Sequence, residues 1–380
     1  MTQLHNVDTT LKMFSEEEAE DEAAVEVMEL FISFDGSSRD HYANQHSPHF
    51  AIDLCGQRID ISQDGSLQMG LGVTGGRVWD ASVVLAKLVE HSAVSRMGLL
   101  PSTLCLELGA GCGLAGMATA LLGAPTVLTE QSMMLPHLER NLAANDVAAH
   151  VSGGRLAAVE LQWGEPLATV DFPPWVGEWE CPTIATPGSD SAAASLSPSS
   201  SVPPSFDLVL CADLAYNENV VVELLDALKR VTGPDTLVLF SMELRTPPVL
   251  QGLLSALLAE GFVVARVPRC GDVESDDDSG GDGRTAAATA SAGGAGSFFF
   301  HPDYSSPSVI IYALRRGPRA EAMAQAAGGG ELPGKDALHD ERGEEGDGAG
   351  IRARASPQMC PFFAGLMQLT SSAPAGEGGG

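Results

Sequence analysis

Cationic side chains are scarce in this sequence: 21 Lys and Arg stand against 50 Asp and Glu in 380 residues, a formal net charge of −29. A nucleic-acid groove needs a Lys or Arg for each phosphate it neutralises, so no nucleic-acid partner is expected, although much of the acid lies in tails and loops. The seven cysteines include no CxxC pair and no metal-ligand spacing, so no metal site is expected either. An odd cysteine count without a secretion signal reads as reduced, intracellular thiols. The N-terminal MTQLHNVDTT has no basic n-region and no apolar h-region, and no apolar run is long enough to span a bilayer. These absences predict a soluble monomer in the cytoplasm or the nucleus, with no membrane partner.

What is present is organised around Thr103 to Glu130, TLCLELGAGCGLAGMATALLGAPTVLTE. An apolar run ends on Glu107 and Leu108. The glycine loop Gly109-Ala110-Gly111-Cys112-Gly113 follows, then a small apolar helix, a Gly-Ala-Pro stop and a second apolar run ending on Glu130. This is a strand, tight turn, helix, strand unit with a ligand site at the carboxyl ends of its strands. Gly111-x-Gly113-x-x-Gly116 formally matches a dinucleotide fingerprint. A dinucleotide, however, sets its pyrophosphate against the loop and the helix start. A Glu107 carboxylate just before that loop would repel it. S-adenosylmethionine (SAM) has no phosphate and carries an ammonium and a sulfonium, which favour a nearby carboxylate. On this reading the glycine backbone approaches the methionine moiety and Glu130 takes the ribose hydroxyls. Three glycines alone also permit a tight turn that holds no ligand.

Residues 1–48 read as an acidic arm, mostly solvated, with a short helix whose apolar face would be Val25, Met28, Leu30 and Phe31. Alternation around Cys55-Gly56-Gln57 predicts a β-hairpin, a lid or an edge ahead of the main sheet. Asp80 is the expected N-cap of the helix that begins at Ala81. Beyond the glycine unit, apolar runs at 156–161, 206–211, 236–240, 262–267 and 308–314 alternate with helical periods until the last two, which a loop joins. That pattern gives an α/β fold: a mainly parallel seven-strand sheet with an antiparallel last strand, helices on both faces and an added N-terminal hairpin. The core domain is 49–316. Low-complexity insertions near 180–204 and 272–297, and the tail 317–380, are expected to be disordered. By local sequence Trp79 is core packing, and Trp163, just past a strand end, is equally an adenine stack or a cover for the sheet. Asp213 and Tyr216 read locally as a helix-cap carboxylate and a packed ring, or as groups that orient an incoming amine.

From Val73 to Arg316 the sequence resembles the family 16 seven-strand protein-lysine methyltransferases, with the branch that methylates valosin-containing protein nearest in motif. The stretches that carry the likeness are VWDASVVLAKLVE at Val78, LELGAGCGLAG at Leu106, LERNLAAND at Leu138, LQWGE at Leu161, ADLAYNE at Ala212, MELRT at Met242 and DYSSPSVIIYALRR at Asp303. The resemblance implies a Rossmann-like class I SAM-dependent methyltransferase that modifies a lysine on a folded protein, with an AAA-type ATPase as acceptor. It also implies roles. Trp79 and Trp163 would line the adenosine end of the cofactor, with Ala212 beside it. Gly109, Ala110 and Gly111 would contact it through backbone. Glu130, where the family usually has Asp, would hold the ribose. Asp213 to Tyr216 would be the DxxY segment at the lysine channel. The insertions and the tail depart from the family and bear on partner choice. Two other classes remain open at this point: a SAM-binding interaction module without turnover, and an NAD-dependent oxidoreductase through the formal glycine fingerprint.

Overall fold

The computed structural model describes residues 19–33, 41–68, 74–92, 103–147, 155–177, 206–267 and 300–317. The expected insertions and nearly all of the expected tail lie outside these residues, as does Trp179. Strands β3 (Cys105–Leu108), β4 (Thr126–Glu130) and β5 (Leu156–Glu160) form one half of the main sheet. The other half is β6 (Leu208–Ala212), β7 (Leu237–Glu243), β8 (Phe262–Arg266) and β9 (Val309–Arg316). Across the sheet the order is β5-β4-β3-β6-β7-β9-β8, and only β9 runs antiparallel to its neighbours. The expected fold class is therefore observed. The order reverses between β3 and β6, and such a reversal opens a crevice at the carboxyl ends of the strands.

Strands β3, β4 and β7 are buried at every residue, which is why they read as continuous apolar runs rather than alternations. One face packs on α2 (Asp80–Ser92) and α3 (Leu114–Leu121), with Leu128, Leu210 and Leu239 pointing into that layer. The other face packs on α6 (Asn219–Val231) and α7 (Pro247–Ala259), with Val127, Val209 and Phe240 pointing there. Helix α4 (Leu135–Ala144) follows β4, and α5 (Pro174–Gly177) is a single turn.

Helix α1 (Ala19–Ser33) is not a solvated arm; it packs on α7. Its buried residues are Ala23, Glu26, Val27 and Leu30, whereas Val25, Met28 and Ile32 are exposed. The expected apolar face was displaced because Glu26 is tolerated inside: its Oε1 accepts from the Tyr312 hydroxyl at 3.3 Å and pairs with Arg266 Nη1 at 3.3 Å. Those partners lie far along the chain, beyond the reach of a local periodicity.

The hairpin pairs β1 (His49–Leu54) with β2 (Gln57–Ser62) through a two-residue turn, with Cys55 at φ 53° and Gly56 at φ 77°. It is neither a lid nor an edge of the main sheet. Asn141 and Asn145, one turn apart on α4, satisfy its free edge. Asn141 accepts from Ser62 N at 3.0 Å and donates to Ser62 O at 3.2 Å; Asn145 accepts from Asp60 N at 2.8 Å and donates to Asp60 O at 2.9 Å. Two side-chain amides thus do what a neighbouring strand would do, and the edge is closed to further pairing. Asp80, the expected cap of α2, instead turns its carboxylate to Tyr42 N and Ala43 N, each at 2.9 Å, and to His41.

Candidate active site

A cavity of about 390 Å³ opens at the β3/β6 reversal. That size falls within the usual range for a small-molecule site. Trp79, Gly109, Ala110, Gly111, Glu130, Trp163, Ala212, Asp213 and Tyr216 all line it. Of the residues expected to form the site, only Glu107 is absent from the wall.

The glycine loop is shaped by what touches it. Gly111 has φ 55°, and a Cβ there would come within 3.0 Å of Gly75 O and 3.2 Å of Gly75 Cα. Gly109 has φ 56°, and its Cβ would meet Leu214 at 2.8 Å and Trp163 at 3.1 Å. Both positions need the left-handed backbone and the missing side chain. The loop 74–79 therefore lies directly over the glycine loop and carries Trp79 to the wall, with the indole N–H donating to Thr74 O at 3.2 Å. Local sequence favoured packing for Trp79; its indole half-serves that role and half-lines the cavity.

Glu130 ends β4 with both carboxylate oxygens on backbone: Oε2 accepts from Gly111 N at 2.8 Å and Oε1 from Gln131 N at 3.0 Å. Each oxygen keeps acceptor capacity for a further donor, as a ribose diol requires. Burial raises its pKa above the usual carboxylate value, and the two backbone donors oppose that.

Glu107 sits beneath the loop, 1% exposed, and its Oε2 accepts from Gly116 N at 2.8 Å. Burial is the main force that pushes its pKa up to about 8, so it is mostly protonated at neutral pH. The repulsion expected between a Glu107 carboxylate and a pyrophosphate therefore has no charge behind it. The dinucleotide reading fails for a different reason: Glu107 occupies one of the first-turn N–H groups of α3 that a pyrophosphate would use.

At the other side of the cavity Asp213 follows β6 with φ 59°, a conformation few non-glycine residues adopt. Its carboxylate does not stand ready for a ligand. Arg245 grips it with both ends of the guanidinium, Nη1 to Oδ1 at 2.8 Å and Nη2 to Oδ2 at 2.5 Å, and also reaches Glu243 Oε2 at 2.6 Å. The same guanidinium lies 4.9 Å from the Trp79 ring centroid. Arg245 thus joins the DxxY segment to the cofactor wall. The motif MELRT marks no role for it; the one local signal is Glu243, two residues before it at a strand end. Tyr216 is 39% exposed at the mouth. Burial first, and the nearby Glu130 charge second, raise its phenol above the usual value, so the hydroxyl stays protonated at neutral pH. The Cys112 thiol on the same wall is pushed up to about 12 by burial and is no nucleophile. Among the described residues no group of three or more His, Cys, Asp or Glu could hold a metal, and no helix is long and apolar enough to cross a membrane.

The donor set fits SAM. Two aromatic walls, a diol acceptor at Glu130 and a cavity wall of glycine-loop backbone match its adenine, ribose and methionine parts. Fold and site together define a class I SAM-dependent methyltransferase, and SAM is its cofactor.

Comparison with known proteins narrows the class. The lysine methyltransferase family matches residues 57–174 and 193–249. Protein N-lysine methyltransferase METTL21A of Danio rerio is 32% identical over 203 residues, covering 53% of this chain and 73% of the relative. The Mus musculus protein of that name is 30% identical over 200 residues, with the same coverage. EEF1A lysine methyltransferase 3 of Mus musculus is 25% identical over 232 residues, 61% of this chain and 82% of the relative. Among solved structures, a precorrin-6y C5,15-methyltransferase from Geobacter metallireducens aligns over 68% of this chain and 93% of its own, at 14% identity and a TM-score of 0.34, too distant to speak to substrate. The chain belongs to the lysine methyltransferase family.

Proposed function

We propose that this enzyme methylates a lysine on a folded protein, with an AAA-type ATPase of the valosin-containing kind as the acceptor to test first. The observation that carries the reading is the shared cavity: Asp213 and Tyr216 open on the space that Trp79, Glu130 and Trp163 line, and Tyr216 is reachable from solvent. The acceptor class is supported by the resemblance through the last strand and by the excess of acid over base, which favours a basic lysine segment. One relative's name points to EEF1A, which makes it the second acceptor to try.

When bound, SAM supplies a methyl group already activated by its sulfonium. The protein's task is to position donor and acceptor and to exclude water. Trp79 and Trp163 would hold the adenosine end, Glu130 the ribose, and the glycine backbone the methionine part. Tyr216 would orient the amine at the mouth. Asp213 would fix the backbone that presents Leu214 to Tyr216; with both oxygens on Arg245 it is poorly placed to remove a proton. The lysine, with an ordinary pKa of about 10.4, would lose its proton to water before reaction, helped by partial burial at the mouth.

The test is mass spectrometry of lysate proteins labelled from isotopic SAM by the wild type and by Asp213→Ala. The expected result is methyl-lysine on a folded protein, lost in the variant, with SAM affinity little changed. Label confined to RNA or small molecules would end the protein-lysine reading. Label on EEF1A or an unrelated protein would change only the acceptor.

A further inference from the structure

Arg77 lines the cavity, and it is the only Lys or Arg among the described lining residues; Glu130, Asp213 and Glu223 are the acids there. Its position is set from three directions. Gly76 O on one side accepts from Asp64 N at 2.8 Å, and Val78 N on the other donates to Gln63 Oε1 at 2.9 Å. The guanidinium itself rests on Gly65: a Cβ at that glycine would lie 2.0 Å from Arg77 Nη2. The backbone that carries Arg77 also includes Gly75, in contact with Gly111 of the glycine loop. The cation is thus held on the same strap that covers the loop where the methionine part of the cofactor belongs.

The charges of the cofactor make a specific demand. SAM carries two cationic groups, the ammonium and the sulfonium, and one anion, the methionyl carboxylate. A cationic side chain on the wall would repel the first two. A planar guanidinium is the matching partner for the third, since it can offer two parallel N–H donors to one carboxylate. Resting on this cofactor assignment, we infer that Arg77 binds the methionyl carboxylate and that Gly65 is kept free of a side chain so that it can.

Two ligands separate this role from a general one. S-adenosylhomocysteine has the carboxylate; 5′-methylthioadenosine keeps the adenosine and the thioether sulfur but lacks the amino-acid part. Calorimetric titration of the wild type should show the first binding more tightly than the second. In Arg77→Gln the affinity for S-adenosylhomocysteine should fall by about tenfold or more, the usual scale for a charge-assisted hydrogen bond, while methylthioadenosine is held as before. Arg77→Lys, which keeps charge but loses the fork, should fall in between. Gly65→Ala tests the same idea without touching Arg77. Its φ is not left-handed and the obstructing atom is the end of a flexible side chain, so the fold should persist while the guanidinium is displaced. It should weaken S-adenosylhomocysteine alone. Equal weakening of both ligands in Arg77→Gln, or no weakening of either, overturns the assignment. A wild type that binds neither ligand overturns the cofactor reading as well, and so the two failures are distinguishable.

Discussion

Four acidic residues stand at the carboxyl ends of four parallel strands, and the two halves of the sheet stabilise them in different ways. On the β3/β4 side, Glu107 and Glu130 are met by backbone N–H groups of Gly116, Gly111 and Gln131. On the β6/β7 side, Asp213 and Glu243 share one cation, Arg245, and Asp213 Oδ1 has in addition a longer backbone contact, accepting from Glu243 N at 3.3 Å. Backbone donors cannot be removed by a single side-chain change; they respond to changes in glycine geometry. A guanidinium can be removed at once, and two buried acids are then left without their cation. The cofactor half should therefore be sensitive at its glycines, and the acceptor half at Arg245.

The largest expected effect is on that second half. Arg245→Ala leaves Asp213 and Glu243, 8% and 7% exposed, without their common partner. Breaking a buried pair from one side costs about 3–5 kcal/mol, and the partly exposed Arg245 places this case near about 3 kcal/mol. Chemical denaturation should show the loss, with Arg245→Lys intermediate because it cannot fork. An unchanged midpoint in Arg245→Ala would mean that the contrast between the halves has no energetic content.

On the cofactor half, Glu130→Ala should weaken SAM by about 1.5–3 kcal/mol, roughly ten- to a hundredfold, as expected for lost hydrogen bonds to a charged group. It also leaves the Gly111 and Gln131 N–H groups without their acceptor. Gly111→Arg should abolish binding and lower Tm together, because its Cβ would press on the Gly75 backbone and its φ is left-handed. Retained SAM affinity in Glu130→Ala by calorimetry would remove the ribose role.

The contrast also bears on what the sequence could reveal. The strands and the glycine loop were legible because fully buried strands and a strand-to-helix turn are local patterns, written in runs such as Leu237–Phe240 and Gly109–Gly113. Trp79, Trp163, Asp213 and Tyr216 converge on one cavity because each follows a strand end or precedes a helix, positions a motif can mark. The failures share a physical cause. Glu26 is buried in α1 because of Tyr312 and Arg266, and Asp80 turns away from its own helix because of Tyr42 and Ala43. Arg245 was visible as a residue but not as the clamp on Asp213, thirty-two positions earlier. Long-range partners decide where a charge goes, and a single sequence does not display them.

A smaller effect concerns protonation in the acceptor half. With Asp213 held by Arg245, that carboxylate is not a ready base at the mouth, and the lysine is expected to arrive already neutral. Methyl transfer should then rise by up to about tenfold per pH unit between pH 6 and 8, and flatten only as the amine's own pKa is approached. A flat profile in steady-state assays over that range would show that a group on the enzyme, or a step other than chemistry, sets the rate.

The last test probes the cofactor half through Glu107, and is read as a trend with pH rather than as a single loss. Its pKa is raised from 4.5 to about 8 in the folded protein, chiefly by burial. Between those two values the unfolded chain releases this proton and the folded chain keeps it. The unfolded state is therefore favoured increasingly as pH rises, so the stability associated with Glu107 is full below about pH 4.5 and is lost as pH approaches 8. Glu107→Gln removes that dependence. The amide adds a fixed cost, since it places a buried NH2 group where a carboxyl oxygen stood, but that cost does not change with pH. The informative quantity is the difference in Tm between variant and wild type, measured from pH 5 to 9. It should move in favour of the variant up to about pH 8 and then level off. Each kcal/mol of relative gain appears as about 2–4 °C for a domain of this size. A constant difference across the series would mean that the Gly116 N–H and the start of α3 hold Glu107 ionised after all, and that the first half of the sheet compensates its acids as fully as Arg245 does the second.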